Sequence, residues 1–227
     1  MNRIAIVLTS HDKLGTTGKP TGYYLPEAAH AWSVFRDAGH DVVFVSPKGG
    51  AAPLDPGGQD RSDPANASFL DDAVVKHGVA HTFRPDELRG IGFAAVFFAG
   101  GHGTMWDFRH DAELARFATD VARGGGVVSA VCHGPAALVD LELDGKKLVG
   151  DQPVTGFSND EEAAVNLTAV VPFLLEDALK ASGGRYSKAD KNFGAHVVVG
   201  RKLVTGQNPA STKGVAEAVV KLLAGAR

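Results

Sequence analysis

A single cysteine, Cys132, stands in 227 residues. It has no partner for an internal disulfide, and zinc sites built on two or more cysteines are equally excluded within one chain. A reducing, cytoplasmic setting is therefore expected. A basic surplus is also missing: Lys and Arg total 23 against 26 Asp and Glu, a formal charge of −3, where a nucleic-acid surface normally carries excess positive charge. No apolar run approaches a bilayer span, and the N-terminal run Ile4 to Thr9 lacks a signal-peptide cleavage pattern. Neither GxGxxG nor GxxxxGK(S/T) occurs, which removes the nucleotide sites those glycines build. No HExxH spacing gathers His11, His30, His77, His81 or His110 into a metal site. Nucleic acid, membrane, cofactor and metal all fall outside the expectation.

What is present is an ordinary globular composition, 44% hydrophobic and 22% charged, in a length that suits one large domain over residues 1–227. Short β-branched or aromatic runs recur at Ile4 to Thr9, Asp41 to Ser46, Ala94 to Ala99, Gly126 to Val131 and His196 to Gly200. They read as parallel strands covered on both faces. Amphipathic stretches lie between and after them at Leu25 to Ala38, Asp111 to Ala122, Val171 to Ala181 and Ser211 to Leu223. The alternation gives the α/β class, a flavodoxin-like three-layer sandwich around a mostly parallel sheet. Two segments interrupt it. Residues 47–67 are dense in Gly and Pro and read as a surface excursion or lid. Leu141 to Phe157 carries an Asp144-Gly145 turn between short apolar pieces and reads as a hairpin or edge pair.

Chemistry concentrates at Ala130-Val131-Cys132-His133-Gly134-Pro135-Ala136. An apolar strand runs directly into a small-residue helix start with the cysteine at the junction, the strand-turn-helix arrangement of a nucleophile elbow. A helix N-terminus there would favour thiolate over thiol. A cysteine can also be a small buried hydrophobe; the junction and its Gly-Pro flank favour the nucleophile. Ala99-Gly100-Gly101-His102-Gly103 also ends a strand, where open α/β sheets place ligands. The Gly101 and His133 N–H groups are candidates for an oxyanion hole, although a plain glycine turn reads the segment equally well. Glu27, in the apolar helix start Leu25-Pro26-Glu27-Ala28-Ala29, is either a partly desolvated proton shuttle or a first-turn partner of the helix dipole. His133 either approaches the sulfur or points away to an acidic residue.

These motifs, with Gly22 to His30, Thr155-Gly156-Phe157 and Leu203 to Ser211, resemble the ThiJ/PfpI superfamily (class I glutamine amidotransferase-like), in particular its glyoxalase III, heat-shock chaperone-type branch. The resemblance implies that Cys132 is the nucleophile, His133 its histidine, Glu27 the acidic residue beside the sulfur, and Gly101 an oxyanion donor. It assigns Glu162, next to Glu161 and Asp160, to orienting His133. From the residues themselves, His102 and Trp106 are candidates for the mouth of the site, although His102 could equally cap a turn. The resemblance further implies a homodimer and a glutathione-independent glyoxalase (D-lactate dehydratase) reaction on small 2-oxoaldehydes, without cofactor or metal. The competing readings are a cysteine-dependent amidase or peptidase, a protein deglycase, a stress chaperone and a redox sensor.

Overall fold

The computed structural model describes residues 2–225. Five strands form a parallel sheet: β1 (Arg3–Val7), β2 (Asp41–Val45), β3 (Ala95–Phe98), β4 (Val127–Val131) and, near the C-terminus, β10 (Leu203–Gly206). They stand in the order β2-β1-β3-β4-β10, the flavodoxin-like arrangement whose order reverses between β1 and β3. The register pairs Ile6 with Phe44 on one side and with Phe97 on the other. Ile4, Ile6, Val96, Phe97, Ala130 and Val204 are fully buried or nearly so, which is why these runs show no polar alternation.

Helix α1 (Leu25–Asp37) starts with Pro26 in its first turn and buries Leu25, Ala28, Ala29, Trp32 and Phe35. It packs beside α8 (Thr212–Gly225), while α5 (Ala112–Arg123) packs on β3 and β4. Asp111 caps α5 by accepting from the Leu114 N–H, and its buried stripe is Leu114, Phe117, Ala118 and Val121. The shorter helices are α2 (Pro64–Asp71), α3 (Ala73–Ala80), α4 (Thr104–Asp107), α6 (Asn159–Ala164) and α7 (Leu175–Ala181). Phe35 meets Phe97 edge-on at 5.8 Å between ring centres, joining α1 to the sheet.

Several expectations need correction. The valine run near residue 197 is β9 (Val197–Val199), an antiparallel edge strand paired with β10, and it is half exposed. Three residues, 200–202, join the two; parallel pairing requires a crossover of a dozen residues or more, so the short connection forces the antiparallel sense. β10 itself was absent from the set of expected strands. The 47–67 excursion is only partly irregular: Gly50 bridges to Thr82, Leu54 to Tyr23, and Pro64 opens α2. The Asp144-Gly145 hairpin forms as β5 (Glu142–Leu143) and β6 (Lys146–Lys147), outside the main sheet. β7 (Pro153–Val154) pairs instead with β8 (Arg185–Tyr186).

Candidate active site

The carboxyl ends of β3 and β4 converge on one cavity of about 290 Å3 bordered by Tyr24, Glu27, Asp55, Gly101, His102, Cys132, His133, Phe157, Val165, Phe193 and Pro209. Its floor is the sharp bend after β4. Cys132 has φ +60°, a left-handed backbone that costs a residue with a Cβ on the order of 1–3 kcal/mol. The bend is wedged in place by close backbone approach. A methyl group on Gly134 would collide with the Phe98 carbonyl, and one on Gly100 would stand 2.5 Å from Glu27 Oε2 and 2.8 Å from the His133 nitrogen.

Cys132 Sγ lies 3.3 Å from His133 Nδ1. On the far side of the ring, His133 Nε2 donates to Glu162 Oε2 at 2.8 Å. With the Nε2–H committed to the carboxylate, Nδ1 is left as an acceptor facing the thiol. Glu162 Oε1 takes a second imidazole, His102 Nε2, at 2.9 Å. The two histidine rings are 4.1 Å apart, and the Phe157 ring lies 4.3 Å from His133. Both alternatives for His133 are thus met by its two nitrogens. Glu161 is directed elsewhere: its Oε2 caps α6 through the Ser158 N–H and hydroxyl, and its Oε1 accepts from Phe193 N–H and Asn208 Nδ2.

Glu27 is fully buried. Gly100 N–H donates to its Oε2 at 2.6 Å, while Oε1 has no hydrogen-bond partner among the described residues. Burial raises this carboxyl to about 8, against the opposing pull of hydrogen bonds from Cys132 and Gly100. Burial likewise pushes the Cys132 thiol well above its ordinary value, and the Glu27 charge acts in the same direction. The expectation of a resting thiolate at a helix N-terminus is therefore corrected. The segment after the elbow is a five-residue 3-10 turn, Gly134–Leu138, too short to supply a helix dipole. Burial and the neighbouring His102 lower His133 to about 4. Glu162 is destabilised by burial, but the hydrogen bonds from His102 and His133 outweigh this and hold it down at about 2. Burial thus holds both the Cys132 thiol and the Glu27 carboxyl toward their protonated forms, beside a neutral imidazole seated on an ionised carboxylate.

The model described as the DJ-1/PfpI family matches residues 21–222. The chain belongs to the DJ-1/PfpI family. A protein of Saccharomyces cerevisiae named glutathione-independent glyoxalase is 30% identical over 228 residues, covering 94% of each chain. Glyoxalase 3 of Candida albicans is 29% identical, covering 97% of this chain and 98% of its own. Among solved structures, a Candida albicans glyoxalase III superposes with a TM-score of 0.88 at 26% identity, covering 97% of this chain and 96% of that one. A rapid encystment protein of Francisella tularensis superposes at 0.94 with 38% identity, covering 98% and 99%.

In this DJ-1/PfpI chain the structure gathers Cys132, His133, Glu27, Gly101 and His102 at one cavity, with Glu162 hydrogen-bonded to the two histidines, but not Trp106. The short helix α4 turns the indole away, and its ring stacks on His11 at 5.2 Å, while Asp107 ties the same turn to Thr9 and Ser10. His102, His133 and Glu162 could offer a metal three ligand atoms within 4.8 Å of one another. Two of those atoms, both Nε2, already donate to the carboxylate, so an ion would have to displace both protons. Asp55, Phe193, Val165 and Pro209 were not anticipated. Asp55 is fixed by Thr21 Oγ1 at 2.9 Å and Gly57 N–H at 2.8 Å. Its Asp-Pro-Gly setting signals a turn, and nothing local in the sequence signals the cavity.

Proposed function

We propose that this chain is a glutathione-independent glyoxalase that converts 2-oxoaldehydes such as methylglyoxal into 2-hydroxy acids through a covalent bond to Cys132. The observation that carries the reading is the Sγ to Nδ1 approach of 3.3 Å, with His133 backed by Glu162, opposite a buried carboxyl that titrates near neutrality. An acyl-transfer triad alone needs no such carboxyl; moving a hydrogen between adjacent carbons does. The yeast relatives' names agree with it.

In the proposed cycle, Sγ attacks the aldehyde carbon as its proton passes to His133 Nδ1, and the alkoxide forms against the Gly101 and His133 N–H groups. Glu27 gives that alkoxide its proton and becomes the base that removes the hydrogen from the same carbon. The electron pair left behind forms an enediol, whose second oxygen is protonated from His133. Glu27 then returns its hydrogen to the adjacent carbon while His133 takes the hydroxyl proton, leaving a thioester. Water adds with Glu27 as base, and the departing sulfur recovers its proton from His133. The sum is aldehyde plus water to hydroxy acid, with every group of the protein restored.

The reading also takes the chain as a single domain of the family that assembles as a homodimer in the cytoplasm. Among the described residues no helix is long and apolar enough to cross a membrane. The test is incubation with methylglyoxal in the absence of glutathione. Lactate is expected from the parent, none from Cys132→Ala, and a loss of about a hundredfold or more in kcat from Glu27→Gln. No lactate from the parent chain overturns the reading.

A further inference from the structure

Six described residues other than glycine have a positive φ: Cys132, Asp144, Asp151, Asn166, Phe193 and Lys202. Asp and Asn adopt that conformation readily, and Lys202 lies in the β9–β10 connection. The remaining two, Cys132 and Phe193, both border the cavity. A phenylalanine at φ +61° with nearly half of its surface exposed gains little from burial in exchange for its backbone strain, and such strain persists only where the surroundings impose it.

Here the imposing group is Glu161. Its carboxylate is fully buried and accepts from four donors, with no cation among them. Oε1 receives the Phe193 N–H at 2.8 Å and the Asn208 amide at 2.9 Å. Asn208 immediately precedes Pro209, a second wall residue. One buried charge therefore fixes two loops at the cavity. The ring so placed lies 6.2 Å from Phe157, centre to centre, and these two side chains with Val165 are apolar members of a lining that also includes Tyr24, Asp55, Glu27 and His102. The cavity, near 290 Å3, is larger than methylglyoxal needs, a molecule of about five non-hydrogen atoms.

We propose that Phe193, held by Glu161, is a specificity-determining residue: with Phe157 and Val165 it forms an apolar subsite for the carbon substituent, so that aryl and branched-alkyl 2-oxoaldehydes are preferred over methylglyoxal. This rests on the glyoxalase reading. Glu161 acts only by positioning the ring.

The experiment compares kcat and KM for phenylglyoxal and methylglyoxal in the parent, Phe193→Ala, Phe193→Leu and Glu161→Gln. The parent is expected to have the higher kcat/KM on phenylglyoxal. Phe193→Ala lowers the phenylglyoxal to methylglyoxal ratio about tenfold, through KM. Phe193→Leu restores most of it, and Glu161→Gln moves it in the same direction as Phe193→Ala by a smaller factor. A parent that favours methylglyoxal overturns the inference. So does an alanine variant that slows both aldehydes equally through kcat, which is what a merely structural role would do. In both of those cases the glyoxalase reading stands. A parent that turns over neither aldehyde overturns that reading and the inference with it. Should Glu161→Gln fail to fold, the two Phe193 variants decide alone.

Discussion

Glu162 holds two imidazoles on one carboxylate, and its value lies in being acceptor-only. Replaced by Gln, one of its two positions becomes an NH2 group, which cannot accept the Nε2–H it faces. If that ring is His133, its proton moves to Nδ1 and the thiol loses its acceptor; if it is His102, His133 still loses the charge that stabilises its protonated form. Glu162→Gln is expected to lower kcat for methylglyoxal by about 10²- to 10⁴-fold, with KM changed by less than about threefold, as steady-state kinetics will show. A KM effect as large as the kcat effect would make Glu162 a substrate-binding group instead. The choice between Glu161 and Glu162 was partly legible before any coordinates. Ser158-x-x-Glu161 has the spacing of a capping box, which commits Glu161 to the start of α6 and leaves Glu162, one position on, to face another way.

At the scale of elements, the elbow depends on strand β4 ending against β3 with no side chain between them. Gly134 supplies that absence, since a Cβ there would meet the Phe98 carbonyl and the Ala99 backbone, which belong to a buried strand end and cannot move aside cheaply. Gly134→Ala is expected to lower the unfolding free energy by ~1–3 kcal/mol, read from urea denaturation. It should also cost at least about tenfold in turnover, because the shift reaches Cys132 and His133 directly. Wild-type stability in the alanine variant would show that the strand ends have slack. Four strands were legible because each carries an unbroken apolar run, fully buried in β3 and β4 and partly so in β2. Direction is not carried by such a run, and β9 shows the cost: its valines alone suggest a covered parallel strand, whereas the three residues joining it to the next strand dictate a hairpin. β10 escaped because Leu203–Gly206 is only four residues long and lies between segments rich in turn residues. Helices α2 and α3 escaped because they lie in and after a stretch whose Gly and Pro dominate the local signal, although Asp63 and Asp72 cap them through their side chains.

Over the whole molecule, the site draws on α1, the loops after β2, β3 and β4, the end of α6 and the segments on either side of the β9–β10 hairpin. Motif residues announce the reacting groups; the walls contributed by Asp55, Phe193 and Pro209 come together only through the tertiary arrangement. The same burial that shapes the cavity links the site to global stability. Glu27, pushed to about 8 chiefly by burial, favours its protonated form in the folded chain. Its contribution is complete below its ordinary value near 4.5 and is lost as pH rises through about 8. Other shifted buried groups change little between pH 7 and 8: Asp107, raised by burial to about 6, is already ionised, His133, lowered to about 4, is neutral in the folded chain and mostly neutral in the unfolded one, which adds only ~0.1 kcal/mol of opposite sign, and Cys132 is still largely protonated in both. That interval therefore isolates Glu27. The parent's unfolding free energy should fall by roughly 1 kcal/mol from pH 7 to pH 8, measured by urea denaturation at several pH values across the range. Glu27→Gln, which cannot ionise, should stay level within a few tenths of that unit. A slope that survives in Glu27→Gln would assign the titration to another group and remove the carboxyl with near-neutral affinity for a proton on which hydrogen transfer between the substrate carbons depends.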